Sequence, residues 1–266
     1  MARKRETALI TGASGGIGLE LAQLFAKRGF DLIVAARRAS ELEELAERCR
    51  KVHGTTVHVR PTDLLALDAP AKLVQQIEDD SLQVDVLVNN AGLMDMGGFA
   101  AIDVEQHERL LQLNVVVLTS LSRRLLPAMI ERGHGRILNV ASISAFQPIP
   151  ALALYAASKA FVLSLSESLS EELRGTGVTV TALCPGFTKT DMLDRAQDEH
   201  SLAQSIPGFL VSDVKDVAKE GLEACLAGKV VVVPGGPNRM MARTVGFYPR
   251  WLVRGVGGLI GRRSTH

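Results

Sequence analysis

The sequence predicts a single α/β domain, a parallel sheet of about seven strands with helices on both faces. Short runs rich in apolar and β-branched residues alternate with longer helix-period runs from residue 6 to about residue 233. Two of the strand runs, 84–89 and 178–183, are largely apolar, as strands are when both faces are covered. The length of 266 residues suits one such domain, since α/β domains run to about 250 residues.

The elements follow in order. A strand at 6–11 runs into Thr11-Gly12-Ala13-Ser14-Gly15-Gly16-Ile17-Gly18 and then a helix at 16–28. Glycines suit this turn for separate reasons. Gly12 permits the tight bend from strand to helix, Gly16 lets backbone approach a pyrophosphate, and Gly18 lets the helix pack closely on the sheet. A phosphate would then meet free N–H groups at the positive end of the helix. A glycine turn alone is a weak signal, and the strand before it with the helix after it make it a strong one. Together with the alternating pattern it specifies a Rossmann-type, doubly wound sheet.

A second strand at 31–36 ends in Ala36 and is followed by Arg37 and Arg38. An NAD site commonly places an acidic residue about 20 positions after the glycines, for the ribose hydroxyls. None stands here, and two guanidinium groups do, with fixed geometry for a 2′-phosphate. NADP(H) is therefore favoured, with NAD(H) as the other option. Arg38 taken alone reads equally well as a solvated residue at the start of the helix at 39–52. A strand at 56–60 leads to Asp63-Leu64, and a helix follows at 69–79. The strand at 84–89 ends in Asn89-Asn90-Ala91-Gly92.

The helical pattern at 103–131 holds Asn114, a polar amide amid apolar residues, and Pro127, which is expected to kink or end it. The strand at 135–140 ends at Ala141-Ser142, the end where open α/β sheets bind ligands. The helix at 153–174 carries Tyr155 and Lys159, four apart on one face. A free tyrosine titrates near pH 10, and a nearby ammonium would stabilise its phenolate, so the pair is a candidate acid/base device. A half-buried tyrosine beside a surface lysine is the plain alternative. A strand at 177–183 precedes Cys184-Pro185-Gly186. Residues 187–211 are irregular and hold Pro207 and Gly208, a length that suits a lid. A helix at 212–227 and a strand at 229–233 complete the pattern.

These residues resemble the short-chain dehydrogenase/reductase family, in its branch of roughly 250-residue enzymes. The likeness rests on Thr11-Gly12-x-x-x-Gly16-x-Gly18, Asp63-Leu64, Asn89-Asn90-Ala91-Gly92, Asn114, Ser142, Tyr155-x-x-x-Lys159 and Pro185-Gly186 followed by Thr188, in family order and spacing. The resemblance implies a carbonyl/alcohol oxidoreductase with Asn114, Ser142, Tyr155 and Lys159 as the catalytic set. It makes Tyr155 the general acid in reduction and base in oxidation, with Lys159 lowering its pKa and holding the nicotinamide ribose. Ser142 would orient the carbonyl, and Asn114 would hold a water that links Lys159 to solvent. Gly12, Ser14, Gly15, Gly16, Ile17 and Gly18 would form the phosphate cradle, with Arg37 and Arg38 on the 2′-phosphate. Asp63 and Leu64 would border the adenine, Asn90, Ala91 and Gly92 would support the cofactor, and Pro185, Gly186 and Thr188 would border the nicotinamide. Asp63 and Thr188 read equally as a turn residue and a helix cap.

Composition sets the remaining bounds. The 30 basic and 29 acidic residues leave no basic excess of the kind a nucleic-acid binder shows. Three widely spaced cysteines imply no disulfide framework, which suits a reducing, cytoplasmic compartment. The six histidines form no metal-binding pattern, so no metal is expected. The basic Met1 to Arg5 before an apolar strand superficially resembles a signal peptide, but the glycines break that stretch at once. No run of 18 uncharged apolar residues suggests a transmembrane helix.

The domain proper is expected to span 1–238, with residues 239–266 as a basic, apolar tail of the same unit. That tail carries arginines with Trp251 and no acidic residue, so peripheral membrane contact is one reading of it. A segment folded over the substrate cleft or against a neighbouring subunit is the other, and its five glycines argue against a stable free helix. The expected partner is a small carbonyl or alcohol substrate, in a homodimer or homotetramer. The expected activity is NADP(H)-dependent reduction of a ketone, aldehyde or 3-oxoacyl group, or NAD(P)-dependent alcohol oxidation by the same site. A non-enzymatic NADP(H)-binding or membrane-associated interaction protein is the alternative from another class.

Overall fold

The computed structural model describes residues 5–190, 192–194, 208, 211–245 and 255. Seven parallel strands form one sheet in the order β3-β2-β1-β4-β5-β6-β9. They are β1 (Thr7–Thr11), β2 (Asp31–Ala36), β3 (Val57–Pro61), β4 (Val86–Asn89), β5 (Gly135–Val140), β6 (Val178–Leu183) and β9 (Val231–Val232). A separate ribbon pairs β7 (Phe187–Thr188) with β8 (Val211–Ser212).

Apolar residues on both faces of each strand explain why the sheet is buried. Ala8, Ile10, Leu32, Val34, Val86 and Val88 enter one core. Their alternates Leu9, Ile33, Ala35 and Leu87 enter the other. This is the period-2 alternation of strand side chains with an apolar partner on each side. The first core is closed by α1 (Gly16–Lys27), α2 (Ala39–His53) and α7 (Val214–Leu226), through residues such as Phe25, Leu45 and Leu222. The second is closed by α3 (Ala69–Asp79) and α5 (Leu118–Glu131), through Leu73, Ile77, Leu121 and Met129. The helix α6 (Ala153–Glu172) packs on β6 and β5, with Leu169 against this second core.

The chain runs outward from β1 through β2 to β3, then crosses to β4 on the other side of β1. That reversal leaves a crevice beyond the carboxyl ends of β1 and β4, where ligands bind in open α/β sheets.

The predicted helix at 103–131 is one continuous run with a change of pitch. It consists of α4 (Val104–Leu111), a π-helical turn (Gln112–Val117) and α5. By length and composition alone it is apolar enough to cross a membrane, although Glu108, Arg109, Arg123 and Arg124 leave it no uncharged run of 18 residues. In the fold it is a core helix, with Leu110, Val117, Leu121 and Met129 buried. Pro127 does not end it, since α5 continues to Glu131. Pro127 and Arg123, whose carbonyl loses its helical donor, both lie on the exposed side, where water can satisfy that carbonyl. The last strand is shorter than the predicted 229–233, although Val230 still accepts from Ala182 at 2.8 Å.

The tail begins as structure. Residues Gly236–Val245 form a helix, α8, that the glycine count did not lead one to expect. Glu220 on α7 fixes its start, accepting from the Gly235 N–H at 3.3 Å and from Arg239 at 2.9 Å. The remainder of the tail, with Trp251, lies outside the described residues apart from Gly255. Most of the predicted lid at 187–211 also lies outside them, with its ends held together by the β7–β8 pairing.

Candidate active site

A cavity of about 610 Å³ runs along the carboxyl ends of the strands. Residues following β3, β2, β1, β4, β5 and β6 all line it, in the order of the sheet. At roughly 4.8 Å per strand it extends about 24 Å from the β3 side to the β6 side.

The glycine turn forms one part of the wall. Gly12 and Gly16 have φ of +67° and +54°, the left-handed region that disfavours side chains. A Cβ at Gly18 would lie 2.4 Å from both Asn90 Nδ2 and the Gly12 carbonyl oxygen. Asn90 explains this tightness, because its Nδ2 donates to the Thr11 and Gly12 carbonyls at 2.9 and 3.2 Å. Thr11 completes the knot, with Oγ1 donating to Val88 and accepting from the Asn90 and Ala91 N–H groups. The N-terminus of α1 has no side-chain cap and no acidic residue in its first turn. Its open N–H groups beside Gly15, Gly16 and Ile17 fit an anionic phosphate.

Arg37 and Arg38 line the cavity and are exposed. Arg38 folds over the turn, donating to the Ser14 carbonyl at 2.9 Å, and pairs with Glu41 at 3.3 Å. Arg37 pairs with no described residue. Asp63 caps its own turn, Oδ1 accepting from Leu65 N at 3.1 Å, while Leu64 is buried in the second core. Both line the cavity.

On the far side, Ser142, Tyr155 and Lys159 converge. Ser142 caps the short 3₁₀ turn Ile143–Phe146, accepting from Ser144 N at 3.1 Å, and its hydroxyl favours ionisation of the nearby Tyr155 phenol. Lys159 is 5% exposed, lies 5.7 Å from the Tyr155 ring centroid and donates to the Val140 carbonyl at 2.9 Å. Burial pulls its pKa down to about 8. Burial also pushes the Tyr155 phenol above its ordinary range, with the Ser142 hydroxyl acting in the opposite direction. Desolvation dominates at the phenol, and the Lys159 ammonium is turned to the Val140 carbonyl.

Asn114 sits in the π-helical turn and does not line the cavity. Its Oδ1 accepts from Leu93 N at 2.8 Å, and its Nδ2 donates to Leu93 O and Ser158 Oγ at 2.9 and 3.1 Å. Both amide donors are thus committed to protein, so the side chain ties the Leu93 backbone to Ser158 on α6. Thr188 Oγ1 donates to the Gly186 carbonyl at 3.0 Å, bracing the Pro185-Gly186 turn, so it is a brace rather than a helix cap.

The sequence reading missed several residues of this wall. Met241 comes from α8 and Met192 from a segment of the predicted lid. Ser144 is 4% exposed, and its hydroxyl bonds no described residue. Serine two positions past Ser142 was the available signal for Ser144, whereas nothing local marks Met241. Among the described residues no cluster of metal-binding side chains occurs.

Residues 6–201 match the short chain dehydrogenase family, and the chain belongs to it. A short-chain dehydrogenase from Sphingobium yanoikuyae, solved in complex with NADPH, is similar at 34% identity and a TM-score of 0.81, covering 91% of this chain and 93% of that one. A bulky-bulky ketone specific alcohol dehydrogenase from Comamonas testosteroni is 30% identical with a TM-score of 0.77, covering 92% and 94%. The ketoacyl reductase HetN of Nostoc is 34% identical over 182 residues, 68% of this chain and 63% of that protein.

Proposed function

We propose that this oxidoreductase interconverts a ketone, aldehyde or 3-oxoacyl group and the corresponding alcohol with NADP(H). The observation that carries the reading is the meeting of Ser142, Tyr155 and Lys159 in the cavity that also holds the glycine turn, Arg37 and Arg38. When bound, the reduced nicotinamide supplies the hydride. Gly15, Gly16 and Ile17 would hold its phosphates by backbone N–H groups, and Arg37 with Arg38 would hold the 2′-phosphate. Ser142 orients the substrate carbonyl by a hydrogen bond. Tyr155, protonated at neutral pH, gives its proton to the carbonyl oxygen. Lys159 places positive charge beside the phenol as that proton leaves. The NADPH-bound relative and the ketone- and ketoacyl-acting relatives support this assignment.

Nicotinamide absorbance with NADPH and NADH, against a panel of ketones, aldehydes and 3-oxoacyl thioesters, tests it. Tyr155→Phe is expected to bind NADPH normally and lose about 10²–10⁴-fold in turnover. Full turnover by that variant would reject the role of Tyr155. Absence of turnover by the wild-type chain across the panel, with NADPH bound, would favour a binding protein. We also infer that the chain assembles with copies of itself through the exposed apolar residues Leu111, Val116 and Phe161 of the neighbouring helices α4–α5 and α6.

A further inference from the structure

The cavity has two chemically different ends. Its charged lining side chains, among the described residues, are Arg37, Arg38, Asp63 and Lys159. The first three follow β2 and β3, at the far edge of the sheet from Tyr155. Lys159 is turned to Val140. Beyond Ser142 and Tyr155 the described wall is uncharged. It consists of aliphatic and aromatic side chains, the hydroxyls and amide of Ser144, Gln147 and their neighbours, and three methionines from three separate segments, Met94, Met192 and Met241.

Met241 is held there by construction. Its helix, α8, is fastened at three points. Glu220 takes the Gly235 N–H and the Arg239 guanidinium, and Arg239 Nε also donates to the Val233 carbonyl at 3.3 Å. Asn238, 5% exposed, lies so close over the Pro185-Gly186 turn that a Cβ on Gly186 would come within 2.4 Å of it. Met241 and Ala242 pack against the cluster of Ala141, Ile143, Val162 and Cys184, directly behind the catalytic strand ends. The adjacent Met240 faces out and is 71% exposed. Two neighbouring methionines thus point in opposite directions, one into the cavity wall and one into water.

We propose that α8 is a specificity wall, and that Met241 with Met94 and Met192 receives the apolar arm of an uncharged, bulky ketone or secondary alcohol. Methionine side chains are unbranched and polarizable, so three of them make a wall that adapts to a large apolar group. An anionic substrate, such as a small oxo acid, would find no cation there among the described residues, and burying its carboxylate unpaired is costly. This rests on the function proposed above and narrows its substrate class.

The test compares kcat/KM over a series of uncharged ketones of increasing alkyl or aryl size, with small oxo acids alongside, for the wild type, Met241→Ala and Met240→Ala. Ligand-observed NMR of the corresponding alcohols, with NADP bound, reads binding without turnover. The wild type is expected to prefer the bulky ketones, and Met241→Ala to lose about tenfold on the largest and little on the smallest. Met240→Ala, the exposed neighbour, is expected to behave as wild type. Turnover that favours small or anionic ketones, or equal losses on all ketones in Met241→Ala, overturns the wall and leaves the oxidoreductase assignment standing. Binding of bulky apolar alcohols without any turnover keeps the wall and overturns the assignment. If neither binding nor turnover occurs, both fall.

Discussion

At the residue scale, charge and burial decide the behaviour of the site. Arg37 is exposed, lines the cavity and pairs with no described residue, whereas Arg38 is already engaged with Ser14 and Glu41. A charge-assisted hydrogen bond contributes about 1.5–3 kcal/mol. Arg37→Ala is therefore expected to raise KM for NADPH roughly ten- to a hundredfold and leave KM for NADH nearly unchanged, as initial rates with each cofactor will read. In the proposed mechanism Tyr155 and Lys159 set the pH response. Tyr155 titrates above its ordinary range, so its proton is in place at neutral pH. Lys159, down to about 8, loses its charge as pH rises through that value. Reduction is expected to hold level through neutral pH and fall above pH 8, while oxidation, which needs Tyr155 deprotonated, climbs with pH. Profiles of kcat/KM in the two directions check this. Folding responds to the same lysine. The unfolded chain binds more protons than the folded one between about 8 and the ordinary 10.5, so stability rises with pH across that window.

At the scale of elements, legibility follows the range of the interactions. Strand and helix order was readable because alternation and periodicity are local signals, and the glycine turn was readable because its conformation demands glycine at Gly12 and Gly16. Asn114 was recognisable as an anomaly, an amide in an apolar helix, but its partners were not. They lie 21 and 44 positions away, at Leu93 and Ser158. The change to π pitch around it, over Gln112–Val117, was equally hidden. Such π turns often mark functional sites. Removing the amide in Asn114→Ala leaves the N–H and carbonyl of Leu93 without it. A cost of about 1–3 kcal/mol per unsatisfied buried group is expected, read as a lower midpoint in chemical denaturation. Spacing reveals that Lys159 neighbours Tyr155 but not how deeply both groups are buried. The helix α8 was missed because Met241 is placed by contacts with residues 50 to 100 positions earlier, such as Ile143 and Cys184.

For the whole molecule, the question is what covers its apolar surface. Phe161 is 41% exposed, Leu111 39% and Val116 49%, on helices that touch one another. The Phe161→Glu variant is expected to shift the chain toward monomer in analytical ultracentrifugation while keeping its helical content, and an unchanged mass distribution would remove this face from the assembly. The cysteines have the opposite placement. Cys49, Cys184 and Cys225 are all buried, and burial pushes the last two thiols up to about 12. Since the thiolate is the reactive form, the folded chain has a surface that alkylating reagents should leave untouched. It is in effect a ready-made labelling scaffold. A single Met240→Cys change would put the one accessible thiol on the outer side of α8, where an attached dye could report movement of the wall without altering its inner face.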